Sequence, residues 1–308
     1  MLMGYSFGDL GSIMAMQGFA GLILFSVFVL MALGLAVIFG QMGVINMAHG
    51  EFMILGAYVT FLTSRLFTTT LPGAFGAYFF VAVVLAFCAS GLAGMAVEWL
   101  LIRHLYRRPL DTLLATWGLS LILQQVYRSV FGAREVGVDQ PDWMMGAANL
   151  SDSIQIPING LIVMALTTLI AVGVYLLIFR LGWGKQVRAV MQNRAMAGAV
   201  GIDTERVDRL TFGLGCGIAG VAGSAFTMIG STSPTAGQLY IVDAFLVVVF
   251  GGAGSLIGTV ASAFTISQAR STLEFFLSGS MAQVVVLLTV VGILMLRPQG
   301  LFVLKVRK

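Results

Sequence analysis

Apolar positions fall in long blocks along this chain, at roughly 17–40, 46–67, 75–102, 112–131, 157–179, 210–230, 241–268 and 281–296. Most of these blocks reach the ~20 residues that a helix needs to cross a hydrocarbon core. None of the polar stretches between them is long enough to build a core of its own, so the pattern predicts a single membrane domain over 1–308. The predicted fold class is all-α, a polytopic α-helical integral membrane protein with about eight membrane segments, some of them broken or re-entrant.

Composition strengthens this reading. The 308 residues are 58% hydrophobic and 10% charged, whereas a soluble domain is about 25% charged. The first 16 residues hold no Lys or Arg and one acid, Asp9, so the basic region of a cleavable signal is missing and the first apolar run is expected to remain in the mature protein. Cys88 and Cys216 lie in apolar runs without the spacing of a disulfide framework or a metal site, and read as small hydrophobes.

The positive charge is unevenly placed. Arg103, Arg107 and Arg108 share one loop; Arg180, Lys185, Arg188, Arg194, Arg206 and Arg209 share another; Arg297, Lys305, Arg307 and Lys308 close the chain. The loop 132–156 is acidic instead, with Arg134 against Glu135, Asp139, Asp142 and Asp152, beside Pro141 and Trp143. The positive-inside rule then makes the basic loops and the C-terminus cytoplasmic, and the acidic loop and N-terminus external. The sequence pI of 9.3 therefore reports orientation and not nucleic-acid binding. With that orientation, 231–280 starts and finishes outside, so 241–268 is either a re-entrant pair of half-helices or two short spans, broken at "FGGAGSLIGT", residues 250–259.

Against this background "QMGVINMAHGEFMILGAY", residues 41–58, is unusual: Asn46, His49 and Glu51 form a polar knot in an apolar chain. Two readings stand. Polar groups inside a membrane face a pathway or one another; alternatively Asn46 caps the second helix, Glu51 favours its positive end and His49 sits at the membrane interface. Glycines Gly43 and Gly50 near the start and Gly251, Gly252 and Gly254 near the end interrupt comparable segments of the two halves, the sequence sign of broken helices beside a transport site. The span "DTLLATWGLSLILQQVYR" adds Thr112, Thr116, Ser120 and Gln124 on one helical face, either lining a path for a small polar solute or bonding to neighbouring helices. Asp243 is a candidate outer gate or an acid near a helix start. Glu98 reads as a partner for the basic loop.

Enzyme motifs fail in context. "HGE" lacks the second cysteine motif of zinc deaminases. "GCGIAG", residues 215–220, follows no strand, so Gly213, Gly217, Gly220 and Ser224 read as a close-packing stripe. "GWGKQ" near Lys185 has Phe179 and Gln186 where a phosphate-binding loop needs Gly and Ser or Thr. No metal set and no ATP site of the chain's own is expected. The amphipathic loop 182–210 fits a helix lying on lipid or one docking into a partner, and composition does not separate them.

"GVINMAHGEFMILGAY" resembles the "INxAHGE" signature of permease subunits of ATP-driven (ABC) importers for branched-chain and other hydrophobic amino acids, the LivH type. Within that family "LATWGLSLILQQ", "QNRAMAGAVGIDTERVDRLTFGLGCGIAGVAGSA", "GQLYIVDAFLVVVFGGAGSLIGT" and "RPQGLF" are similar to the urea permeases, the UrtB type. The resemblance runs from about residue 30 to the end, while 1–29 match nothing specific. It implies a bacterial inner-membrane permease that is not itself an enzyme and binds no cofactor. It implies as partners a second permease of the UrtC type, two cytoplasmic ATPases that use ATP and Mg, and an external binding protein that delivers urea. It further implies that 182–209 is a coupling loop, with Gly184, Arg188, Ala189, Gln192, Asn193, Gly201 and Ile202 matching the family's pattern. A branched-chain amino acid or short amide as substrate, or an ATP-independent channel, are the alternatives.

Overall fold

A computed structural model describes residues 7–106, 108–151, 154–252, 254–297 and 300. Arg107, Asp152, most of the closing "RPQGLF" and the basic tail residues Lys305, Arg307 and Lys308 lie outside the described residues. The chain is mostly helical: α1 (Phe7–Met42), α2 (His49–Thr70), α3 (Tyr78–Leu100), α4 (Pro109–Phe131), α5 (Ile158–Phe179), α6 (Gly182–Gln192), α7 (Arg194–Ala199), α8 (Thr204–Thr227), α9 (Ala236–Gly251), α10 (Leu256–Phe276) and α11 (Gly279–Leu296). Six of these regions are long and apolar enough to cross a membrane, and α9 is a shorter apolar helix. The 23 residues of α4 and 21 of α10 are equally long but carry more polar side chains. Each predicted segment holds one helix except 241–268, which divides between α9 and α10. The all-helical expectation omits one feature, a two-stranded antiparallel hairpin of β1 (Ala147–Ser151) and β2 (Ile154–Pro157) inside the acidic loop.

Local chemistry sets the boundaries. Pro109 opens α4 where its missing N–H has no partner to lose. Gly43 follows α1 at φ +65° and Gly252 follows α9 at φ +93°, backbone that a side chain resists. At the centre, α1 and α8 press together so closely that a methyl added to Gly34 would strike the Gly215 carbonyl, and the reverse. Gly56 meets Gly220 and Gly223 meets Met53 in the same way, while Gly213, Gly217 and Gly220 leave no room for a methyl beside Met95, Phe87 and Ser90, so the small-residue stripe of α8 is chiefly the seam on which α3 packs, with α2 along its edge.

The two ends of the molecule differ in charge. Met42 at the end of α1 lines a cleft with Arg103, Arg108 and Arg194. At the other end, Gln140 and Asn159 both donate to the Met228 carbonyl at 2.8 Å, and Val136 pairs with Thr232. Thus α1 finishes at the basic end whereas α8 starts there, and the two run antiparallel. Neighbours follow the same inversion. α3 packs on α8 as α10 packs on α1, α2 packs on α3 and α8 as α9 packs on α10 and α1, and α2 meets α9 across the middle. The chain is built as two inverted halves, α1–α4 and α8–α11, each with a broken second helix.

Candidate functional site

After Gly43 the chain doubles back along α1, and α2 begins inside the bundle. His49 bonds the Met31 carbonyl at 3.2 Å, Ser90, midway along α3, donates to the Phe52 carbonyl at 3.0 Å, and Ser120, midway along α4, donates to Glu51 Oε1 at 2.9 Å. Contacts with the middles of three helices put this helix start at mid-height. Gly50 lies against Gly237 at the start of α9 without room for a methyl on either. Two helix N-termini therefore meet at the centre, α2 leaving toward the hairpin end and α9 toward the basic end, where Phe245 meets Phe39 of α1.

Two details of the junction reading change. Asn46 is not the cap of α2: its Oδ1 accepts from the Ala48 N–H at 3.1 Å, a turn ahead of the helix, and the cap position is held by Ala48 without a side-chain acceptor. His49 is not at an interface, being fully buried against α1. Glu51 does stand in the first turn.

The polar stripe of α4 faces this knot. Gln124 Nε2 donates to Glu51 Oε1 at 2.8 Å, Thr116 Oγ1 accepts from the Met47 N–H at 3.1 Å, and Thr112 bonds the Leu105 and Arg108 carbonyls. Tyr127, not singled out by the sequence, donates to the Glu51 carbonyl at 2.9 Å. One oxygen of Glu51, Oε2, together with His49 Nδ1 and Asn46 Nδ2, is buried without a protein partner. Unpartnered buried polar atoms are costly, which marks this cluster beside the paired helix starts as the candidate site.

Asp243 belongs elsewhere. It receives Arg270 Nη1 at 2.8 Å and Gln283 Nε2 at 3.3 Å, tying α9 to α10 and α11, while Arg270 also holds Glu274 at 3.0 Å. Patterning singled out neither Arg270 nor Gln283; an arginine within helix α10 was the available signal. Of the glycines, Gly251 packs against Gly258 across the α9–α10 hinge, and Gly254 stands in open space.

The 182–209 segment folds on itself. Val187, Val190, Ala197 and Val207 form a small core with Trp183, Ala189 and Ile202. Gly184 has no room for a methyl beside the Ile178 carbonyl, and Arg188 donates to that carbonyl while lying over Phe179. Asn193 caps α7 by accepting from the Met196 N–H at 3.0 Å, Gly201 turns the chain at φ +88°, and Gln192 is exposed. Arg194 bridges Asp208 at 2.5 Å, and Glu98 takes the Tyr106 hydroxyl at 2.7 Å with Arg209 at 3.8 Å. Cys88 and Cys216 are both free thiols.

Inverted halves, broken helices meeting at mid-height and a separately folded basic loop define a membrane transport domain of the permease class. Residues 18–294 match the family described as branched-chain amino acid transport system / permease component, and the chain belongs to that family. It is similar to the high-affinity branched-chain amino acid transport system permease protein LivH of Salmonella typhimurium and of Escherichia coli K12. Each is 28% identical over 295 residues, covering 92% of this chain and 94% of the relative. A probable LivH of Methanocaldococcus jannaschii is 26% identical, covering 95% of this chain and 93% of the relative. No solved structure matches.

Proposed function

We propose that the chain is a permease subunit of an ATP-driven importer whose substrate is a branched-chain or related hydrophobic amino acid. The family match over nearly all the spanning helices carries this reading, and the relatives are named for that substrate class. In this reading the basic end is cytoplasmic by the positive-inside rule. Two ATPases that consume ATP and Mg dock there, a second permease completes the pathway, and an external binding protein loads the opposite end. The α6–α7 unit is the natural coupling element, because Gly184 and the small valine core fix it as a rigid body while Gln192 stays free to touch a partner.

A second reading, urea, is favoured by "LATWGLSLILQQ" and by the uncharged Thr116, Ser120 and Gln124 beside the knot. Urea is neutral, whereas an amino acid brings an ammonium and a carboxylate that both need partners. Uptake of labelled leucine and labelled urea in a strain lacking the gene decides between them. Restoring the gene returns leucine uptake; a return of urea uptake alone overturns the amino-acid reading. His49→Ala and Glu51→Gln should each lower uptake per inserted complex at least about ten-fold if the knot meets the substrate, a loss corresponding to about 1.4 kcal/mol. Gln192→Ala should leave the permease folded yet weaken ATPase retention, measured as co-purification. Normal retention and uptake in that variant would make α6 a helix that only lies on lipid.

A further inference from the structure

At the basic end, between the loop that follows α3 and the α6–α7 unit, lies a cleft of about 750 Å³. Its lining is mixed: Arg103, Arg108 and Arg194 stand with His104, Tyr106 and Asp208, beside an apolar patch of Met42, Val190 and Met191. Arg194 is already bridged to Asp208. Arg108 has only Asp111 at 3.6 Å, an exposed pair that holds little charge back from a ligand. Among the described residues no carboxylate lies within ion-pair distance of Arg103, whose Nε donates to His104 at 3.3 Å. Among the described residues the cleft therefore keeps Arg103 without an ion-pair partner and Arg108 with only its exposed pair to Asp111.

The level of the cleft is set by its neighbour. The Arg103 guanidinium lies over the ring of Trp99, 5.7 Å from its centroid. Trp99 is half-exposed in the last turn of α3, beside Leu100, which is 64% exposed. An outward tryptophan at the end of a spanning helix marks the headgroup layer of a bilayer. Cations at headgroup height beside an apolar patch match an amphipathic anion: a phosphate group that continues into glycerol and acyl chain. An acidic protein segment would match the cations but leaves the apolar patch and the Trp99 placement unused.

We propose that the cleft of Arg103, Arg108 and Met42 is a binding site for a phosphate-bearing group, supplied by an anionic phospholipid. Arg103 and Arg108 hold the phosphate, and Met42, Val190 and Met191 take the first carbons of the lipid. The site depends on the chain spanning a membrane and not on which solute it carries.

The test uses the full chain, purified in a nonionic detergent and stripped of lipid, titrated with phosphatidylglycerol, phosphatidylcholine or inorganic phosphate. Thermal midpoint and lipid retained by native mass spectrometry are read in parallel. Phosphatidylglycerol should bind and raise the midpoint, and phosphatidylcholine should do neither. R103Q/R108Q should bind phosphatidylglycerol about thirty-fold more weakly, from the loss of two cations near a lipid phosphate, while R103K/R108K retains binding. If inorganic phosphate raises the midpoint alike and displaces the lipid, the site is confirmed and its source is soluble phosphate. Equal binding by wild type and R103Q/R108Q overturns the proposal. So does release of co-purified protein partners from R103Q/R108Q with lipid binding unchanged, which would assign the cleft to a protein interface.

Discussion

Among single residues, several buried polar ones act through partners far away in sequence. Asn46, His49 and Glu51 are legible because polar groups in an apolar run must be compensated. The compensation itself is not: the carbonyl of Glu51 meets Tyr127, Thr60 meets Ser224 at 2.7 Å, and Asp243 meets Gln283. Those pairings depend on how helices cross, which periodicity does not encode. Tyr106, outside the spanning helices, gives a test at this scale. Burial pushes its hydroxyl far above the ordinary tyrosine range, and the bond to Glu98 adds to the shift. A group whose folded pKa is raised contributes stability that is complete below the unfolded value, near 10, and lost as pH climbs beyond it. Tyr106→Phe should cost roughly 2 kcal/mol at neutral pH through the lost bond to a charged acceptor. It should also flatten the fall of thermal midpoint above about pH 10. An unchanged alkaline slope would show that the hydroxyl is solvated.

Elements were read more completely than contacts. The apolar blocks, the glycine break at 250–259 and the stripe on α8 all follow from length and small-residue spacing, and each corresponds to an observed helix or seam. The direction of the α4 stripe did not follow, because Thr116, Ser120 and Gln124 satisfy a pathway and a neighbouring helix equally well. The α9–α10–α11 tie was hidden for the same reason, and it makes an asymmetric prediction. Removing one partner of a buried ion pair strands the other charge, at about 3–5 kcal/mol. Arg270→Gln leaves Asp243 with only an amide from Gln283, whereas Asp243→Asn leaves Arg270 still holding Glu274. Arg270→Gln should therefore depress the thermal midpoint more than Asp243→Asn, and the double variant should sit closer to wild type than the sum of the single losses. Strict additivity in that cycle would mean that the pair is not coupled.

For the whole molecule, charge placement and inversion constrain one another. The basic loops and the hairpin end are opposite ends of one bundle, which fits a single orientation, and the inverted halves require α8 and α1 to cross in opposite senses. The α9–α10 hinge is the critical point, because a re-entrant pair and two short crossings both begin and end on the same side. The structure sets the hinge level with the far end of α11: Gly300, just beyond that helix, lies against Val249, Phe250 and Gly252. Although α9 has only 16 residues, about 24 Å of helix, it starts at mid-height beside Gly50, so it reaches the basic end. A cysteine introduced at Gly254, where a side chain meets open space, should then be shielded from an impermeant thiol reagent in intact cells and react once the membrane is opened. Asp142→Cys should react in intact cells and Arg194→Cys should not, all in a background where Cys88 and Cys216 are replaced by Ala. Reversed labelling of 142 and 194 would overturn the orientation and with it the assignment of α6–α7 to the ATPase side. Labelling of 254 that fails even after permeabilisation would overturn only the crossing of α9, leaving a re-entrant hairpin buried short of the basic end.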